Sequence, residues 1–310
     1  MINQNIKKLQ NNLESVLIGK SECVKLILVG LFAQGHILIE DVPGVGKTTL
    51  ARAMAKSIDC TFQRIQFTPD LLPSDIIGVS IYHPQSDRFV FKPGPIFANI
   101  ILADEINRAT PRTQSSLLEA MNDTQASVDG VTYKLSKPFM VLATQNPIEF
   151  EGTYPLPESQ LDRFLMKIRI GYPSTEDEKR VIISQKISPP LDSLSSVLNT
   201  QDIIEIQDKV KKVLVDESLV DYLLKISNKT RESEFLKLGV SPRGSLALFR
   251  GAQALALVEN RDYAIPDDIK KLAVPVLSHR VIGKSLIGSG DDSEAYQIIE
   301  DILQEVPVPL

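Results

Sequence analysis

The sequence predicts an α/β fold: a parallel five-stranded sheet with helices on both faces, followed by a smaller all-α domain. Three observations carry this expectation. Short apolar runs alternate with helical patterns up to about residue 170, the pattern of a parallel sheet buried on both faces. A glycine-rich turn, Pro43-Gly44-Val45-Gly46-Lys47-Thr48-Thr49, joins one apolar run to a helical stretch. Beyond Tyr172-Pro173 only helical periodicity remains. The division expected is therefore a core over 1–172 and a helical domain over 173–310.

Each element follows from its spacing. Ile6, Leu9, Leu13, Val16 and Leu17 mark an amphipathic helix over 4–17. Ile18-Gly19-Lys20 breaks it, and a second helix covers 22–33. The first strand is His36–Ile39, and a helix runs over 50–58. Further strands are expected at 62–67, 99–103, 139–143 and 166–170. Two stretches interrupt the alternation. Residues 79–90 form a hairpin around 83–87, and residues 127–135 form another around Asp129-Gly130. Neither is needed to build the sheet, so both are read as working surfaces or, alternatively, as solvent-exposed decoration. Ser174 with Asp177 makes a capping box for a helix to about 187. A linker-like stretch over 188–196 precedes helices at 201–214, 216–229, 243–260, 266–273 and 292–305.

Composition narrows the class. The 310 residues are 43% hydrophobic and 24% charged, which gives ample core for two domains. A net charge of −5 argues against a dedicated nucleic-acid binder. Cys23 and Cys60 have no metal or redox spacing and read as reduced, buried thiols of a cytoplasmic protein. The first residues lack a signal-peptide core, and no apolar run reaches membrane-spanning length. His36, His83 and His279 share no spacing and read as structural or exposed.

The chemistry starts at the glycine turn. Strand, glycine loop and helix in that order make a P-loop. Gly44 and Gly46 let backbone N–H groups turn toward a phosphate, and the helix adds its positive end. Lys47 can reach the β- and γ-phosphates, and the Thr48 hydroxyl can ligate Mg²⁺. One position departs from the general G-x-x-x-x-G-K-T pattern: Asp41 stands where the first glycine is expected. Its tolerance of left-handed backbone would let the turn survive.

Later strand ends supply the rest. The run Ile100–Ala103 ends in Asp104-Glu105: an Asp to order Mg²⁺ and a Glu to polarise the attacking water. Asn146 ends the next apolar run, where its amide can reach a γ-phosphate or the lytic water, or simply shape the Asn-Pro turn. Arg163, before the last strand, offers a planar charge for a developing phosphoryl charge. Ser241-Pro242-Arg243 opens a helix with a cation in its first turn, an arrangement that wants an anion nearby. Taken alone, each arginine is as readily a surface ion pair.

In this order the motifs resemble the MoxR family of AAA+ ATPases. The resemblance covers roughly residues 10–285. It runs through Ile39–Thr48, Phe67–Asp75, Gly94–Asn99, Ala103–Ala109, Ser116–Met121, Ala143–Pro147, Leu156–Phe164 and Ser241–Arg243. Asp41 is similar to a variant familiar in that family. The resemblance implies an AAA+ core with a helical lid, using ATP and Mg²⁺. It implies Lys47 and Thr48 as Walker A, Asp104 and Glu105 as Walker B, Asn146 as sensor 1 and Arg243 as sensor 2. Arg163 would be an arginine finger acting on a neighbouring subunit's ATP. Ile18 and Gly19 would line the adenine pocket, and the hairpins would face a ring pore or its rim. A homo-oligomeric ring follows, usually a hexamer, that remodels a protein partner, often one with a von Willebrand factor A domain. Two alternatives stay open at this point: a nucleic-acid-stimulated motor, and a nucleotide-gated scaffold with little turnover.

Overall fold

Continuous apolar strands need helices on both faces, and the chain supplies them. The computed structural model describes residues 2–85, 87–147, 152–184, 190–284 and 292–309. Helices α1 (Ile2–Val16) and α2 (Ser21–Phe32) precede β1 (Ile37–Glu40), α3 (Lys47–Ser57) and β2 (Phe62–Gln66). A short α4 (Pro73–Ile77) leads into the hairpin β3 (Gly78–His83) and β4 (Arg88–Pro93). Next come β5 (Ile100–Asp104), α5 (Pro111–Asp123), the hairpin β6 (Gln125–Val128) and β7 (Val131–Lys134), then β8 (Met140–Gln145). One-turn α6 (Glu158–Leu161) precedes β9 (Met166–Ile168). The C-terminal part holds α7 (Thr175–Ser184), α8 (Pro190–Ser193), α9 (Thr200–Val210), α10 (Glu217–Glu232) and β10 (Leu236–Leu238). It ends with α11 (Pro242–Val258), α12 (Pro266–Leu277), β11 (Ile282–Gly283) and α13 (Asp292–Glu305).

The main sheet has the order β2-β5-β8-β1-β9, with every pair parallel. This is the α/β fold class expected, with a helical second part; that part, expected to be all-α, also carries the antiparallel strand pair β10–β11. On one face pack α1, α2 and α3, and their apolar cluster runs on into α9–α12. The other face packs against Leu117, Leu118 and Met121 of α5 and Ile76 of α4. No described helix is long and apolar enough to cross a membrane.

Three local differences from the sequence expectation have physical causes. The last strand stops at Ile168 rather than 170, because the N–H groups of Ile170 and Gly171 turn to the Asp41 carboxylate. Helix α12 continues through Pro275 to Leu277. Interior proline costs about 3 kcal/mol, but Leu272, Val276 and Leu277 are fully buried there, each worth roughly 1.5–3 kcal/mol. The expected linker contains one-turn α8, whose Leu191 and Asp192 carbonyls accept Lys56 Nζ at 3.0 and 2.8 Å. The expected end of α7 near 187 and the start of the linker, 188–189, lie outside the described residues.

Both hairpins form. Asp129 and Gly130 have φ of 51° and 78°, the left-handed pair that a two-residue hairpin loop requires. Phe91 of β4 stacks on Tyr133 of β7 with centroids 4.2 Å apart, so the two hairpins are joined by an aromatic contact. The first hairpin leaves Val79, Ile81, Tyr82, Phe89 and Val90 exposed.

Cys23 is buried and Cys60 only partly so; burial pushes both thiols up to about 12. His83 is exposed, whereas His36 and His279 are buried. His36 Nδ1 accepts the Val141 N–H at 3.0 Å, which leaves the proton on Nε2, 3.0 Å from the Met121 carbonyl. It thereby ties β8 to the end of α5. Burial lowers its pKa to about 4, against the smaller opposing effect of the Met121 carbonyl. Between pH 6.5 and 4 the unfolded chain therefore binds a proton that the folded chain does not, and stability falls as pH falls. That difference is worth on the order of 3 kcal/mol by pH 4. Urea unfolding followed from pH 7 to pH 4 should show a steeper acid loss for the native chain than for His36→Asn; equal slopes would contradict this role.

Candidate functional site

The loop between β1 and α3 has the backbone its glycines predict. Gly44 and Gly46 have φ of 87° and 98°. An added Cβ at either would meet nothing within 4 Å, so it is the left-handed backbone, not crowding, that selects glycine. Asp41 is the exception to expectation. It is not among the residues with positive φ. Its side chain instead accepts the N–H of Val42 at 2.9 Å, Ile170 at 2.7 Å and Gly171 at 2.6 Å. It is retained as an acceptor, not as a substitute for glycine in a turn.

Pro43, Gly44, Gly46, Lys47, Thr48 and Thr49 line a cavity of about 370 Å³ with Asp104, Glu105 and Asn146. The structure thus brings together the residues expected from three separate strand ends. Lys47 Nζ donates to the Asp41 carbonyl at 2.6 Å. Burial lowers its pKa, and Asp104, Asp41 and Glu105 pull it back. The ammonium is held among carboxylates in a glycine cradle, ready to pair with a phosphate.

Asp104 and Glu105 are fixed by neighbours that the sequence reading passed over. The Thr144 hydroxyl donates to Asp104 Oδ1 at 2.6 Å and accepts the Glu105 N–H at 2.9 Å. Arg64 of β2 pairs with Asp104 Oδ2 through Nε at 3.0 Å and a terminal nitrogen at 2.6 Å. Gln66 of β2 and Arg108 donate to Glu105 Oε2 at 2.7 and 3.1 Å. Glu105 itself is left-handed, with φ 56° and ψ 52°. A non-glycine residue held there costs of order 1–3 kcal/mol, a cost concentrated at working sites. The available signal was the alternation of β2: Arg64 and Gln66 are polar on one side of a strand otherwise expected to be buried.

A second cavity of about 330 Å³ shares Gly44, Gly46 and Thr49 with the first. Its other walls are largely apolar, from Leu17, Ile18, Val45, Pro173, Val181 and Leu191. Expected Ile18 is in this wall. Gly19 is not; it has φ 75°, and a Cβ there would meet the Asp177 carboxylate at 2.2 Å. Its role is close approach to α7. A polar cradle beside an apolar slot fits a nucleoside triphosphate. Thr48 and Asp104, facing one cavity, are the residues that would hold a Mg²⁺ accompanying it.

Arg163 and Arg243 are elsewhere. Both line a third cavity, of about 400 Å³, with His36, Asp162, Arg250 and Arg280. His36 precedes β1 and Arg163 precedes β9, so this cavity lies at the amino ends of strands whose carboxyl ends carry the glycine loop. Arg163 donates to the Leu118 carbonyl at 2.8 Å, and its shielded Nε finds no acceptor among the described residues. Asp162 joins core to lid. It accepts Arg280 Nε at 2.8 Å and the hydroxyl of Ser241 at 2.9 Å. Ser241 is the N-cap of α11, accepting Gly244 N–H at 3.1 Å, with Pro242 at the first helical position. Burial pulls Arg280 down to about 10 against the attraction of Asp162. Asp162 and Arg280, given no role by the sequence, tie the loop bearing Arg163 to the N-cap of the helix bearing Arg243.

Comparisons with known proteins agree with this geometry. Residues 36–166 match the profile of the ATPase family associated with various cellular activities (AAA), and residues 228–302 match an AAA lid domain. The chain is 51% identical to the uncharacterized protein YeaC of Bacillus subtilis, covering 98% of this chain and 94% of that one. It is 43% identical to Chaperone MoxR1 of Mycobacterium tuberculosis, covering 95% of this chain and 80% of the relative. A crystal structure from Cytophaga hutchinsonii, assigned provisionally as an ATPase, superposes with a TM-score of 0.90 at 40% identity. That match covers 100% of this chain and 96% of the other.

Replacing Thr144 with Val keeps the side-chain shape and removes the hydroxyl that serves both carboxylate-bearing residues. If the site hydrolyses a triphosphate, kcat should fall about 5- to 150-fold with KM little changed, as expected for a lost positioning bond of about 1–3 kcal/mol. Steady-state kinetics of Thr144→Val checks this, and an unchanged kcat would remove the hydroxyl from the account.

Proposed function

This chain belongs to the MoxR family of AAA+ ATPases, and from that premise we propose that it is a Mg²⁺-dependent ATPase working in a ring of identical subunits to remodel a protein partner. The supporting observation is the convergence of Lys47, Thr48, Asp104, Glu105 and Asn146 on one cavity. We take residues 1–172 as the nucleotide-binding core and 173–310 as the lid.

In this reading the glycine-loop amides and Lys47 hold the β- and γ-phosphates, and the apolar slot beside Ile18 and Val45 takes the base. Thr48 and Asp104 would hold Mg²⁺, which would supply charge neutralisation to the phosphates. Glu105 accepts a proton from water as its oxygen bonds to the γ-phosphorus. The bond from that phosphorus to the β–γ bridging oxygen breaks, giving ADP and inorganic phosphate. Asn146 orients the water or a γ-oxygen. Gln66 and Arg108 hold the Glu105 carboxylate and set when it is free to act.

Arg163 and Arg243 line a cavity at the other end of the sheet from this chain's own glycine loop. We infer that both complete the site of a neighbouring subunit, which makes assembly, as a hexamer in the family's usual form, part of the chemistry. The exposed apolar side chains of the first hairpin, with Phe89 71% exposed, suit a protein segment better than a nucleic-acid strand. A chaperone-like role, a partner carrying a von Willebrand factor A domain, and a cytoplasmic setting complete the proposal.

Glu105→Gln should keep ATP binding and reduce turnover by about a hundredfold or more; turnover at the native rate would sink the base assignment. Arg163→Ala and Arg243→Ala should each be inactive alone yet regain activity when mixed with Lys47→Ala, because one subunit then brings the loop and its neighbour the arginines. Failure of mixed assemblies to regain ATPase activity, with co-assembly confirmed, would contradict completion between subunits.

A further inference from the structure

A carboxylate at the start of a phosphate loop is an electrostatic liability, since the ligand brings several negative charges of its own. Asp41 is only 8% exposed, and its carboxylate is held by three backbone N–H groups, one from Val42 of the loop and two from outside it. Two of these belong to Ile170 and Gly171, which lie between β9 and α7 where the chain leaves the core for the lid. Gly171 has φ 68°, and an added Cβ would come no nearer than 4.0 Å to any side chain, so it is a conformational pivot rather than a packing glycine. Next to it the Tyr172 carbonyl accepts Lys20 Nζ at 2.8 Å. The other end of Asp41, its carbonyl, accepts Lys47 Nζ at 2.6 Å.

We propose that Asp41 is a positioning residue that couples the phosphate-binding lysine to the pivot between core and lid. One residue grips Lys47 with its main chain and the pivot with its side chain. A shift of the Lys47 ammonium toward a phosphate changes what the Asp41 peptide holds, and the carboxylate carries that change to Ile170 and Gly171. The pivot in turn sets Pro173 and Val181 against Val45 across the apolar slot. Coupling of this kind is reciprocal: nucleotide shifts the lid, and lid position shifts nucleotide affinity. The inference rests on the nucleotide-binding reading above, but it does not need hydrolysis.

The test uses the full chain, MgADP as a ligand that is not consumed, and hydrogen exchange at the Ile170 and Gly171 amides. In the native chain MgADP should change the exchange of both amides. Asp41→Asn keeps the shape and removes the charge. It should raise the Kd for MgADP about tenfold, speed pivot exchange about tenfold without ligand, and abolish the ligand-dependent change. Gly171→Ala strains the pivot without touching the loop and should weaken MgADP by a similar factor; it carries the same readout if Asp41→Asn does not fold. Asp41 as a merely structural residue predicts lowered stability with the ligand-dependent change intact, and that result overturns the coupling. A native chain that binds MgADP with no change at the pivot also overturns it, leaving the nucleotide reading standing. A native chain that binds no MgADP overturns both.

Discussion

A parallel sheet buried on both faces is the constraint on which the rest of this molecule depends. Its central strands β5, β8 and β1 are buried up to their last residues, so their polar chemistry is confined to the two ends. The carboxyl ends carry Lys47, Asp104, Glu105 and Asn146; the amino ends lie beside Arg163, Arg243 and Arg280. A five-residue strand holds its ends about 15 Å apart, farther than an arginine side chain reaches. On the proposed reading this separation is the reason for a ring. A chain with its phosphate cradle on one edge and its charge-stabilising arginines on the other acts only beside a copy of itself.

The lid is joined to the core by a shared apolar cluster and by charge. One apolar cluster runs from α1–α3 into α9–α12. Two carboxylates then fix the junction at opposite ends of the sheet: Asp41 at the carboxyl side and Asp162 at the amino side. Asp162 is one residue from Arg163 and bonds the N-cap of the helix bearing Arg243. On the proposed reading, movement of the lid at either junction bears on residues of one nucleotide site or the other.

Much of this was legible in the sequence, because periodicity and strand-end position report backbone and topology. The glycine loop, the Asp104-Glu105 pair, Asn146 and the Ser241-Pro242 cap are local patterns, and local patterns survive reading one residue at a time. The missed features are relations between distant segments. Asp41 looked like a tolerated substitution because its partners are about 130 residues away. Thr144, Arg64 and Gln66 act through bonds to Asp104 and Glu105 that span about 40 residues. Arg280 is buried against Asp162, 118 residues earlier. Pro275 shows the converse, a strong local stop overridden by burial.

The central claim is that hydrolysis needs two subunits, and turnover per chain measured against protein concentration tests it most directly. Across the range in which sedimentation shows single chains assembling, ATP turnover per chain should rise from near background to a plateau as assemblies form. A turnover per chain that stays constant through that range, with monomers as active as assemblies, would contradict the account.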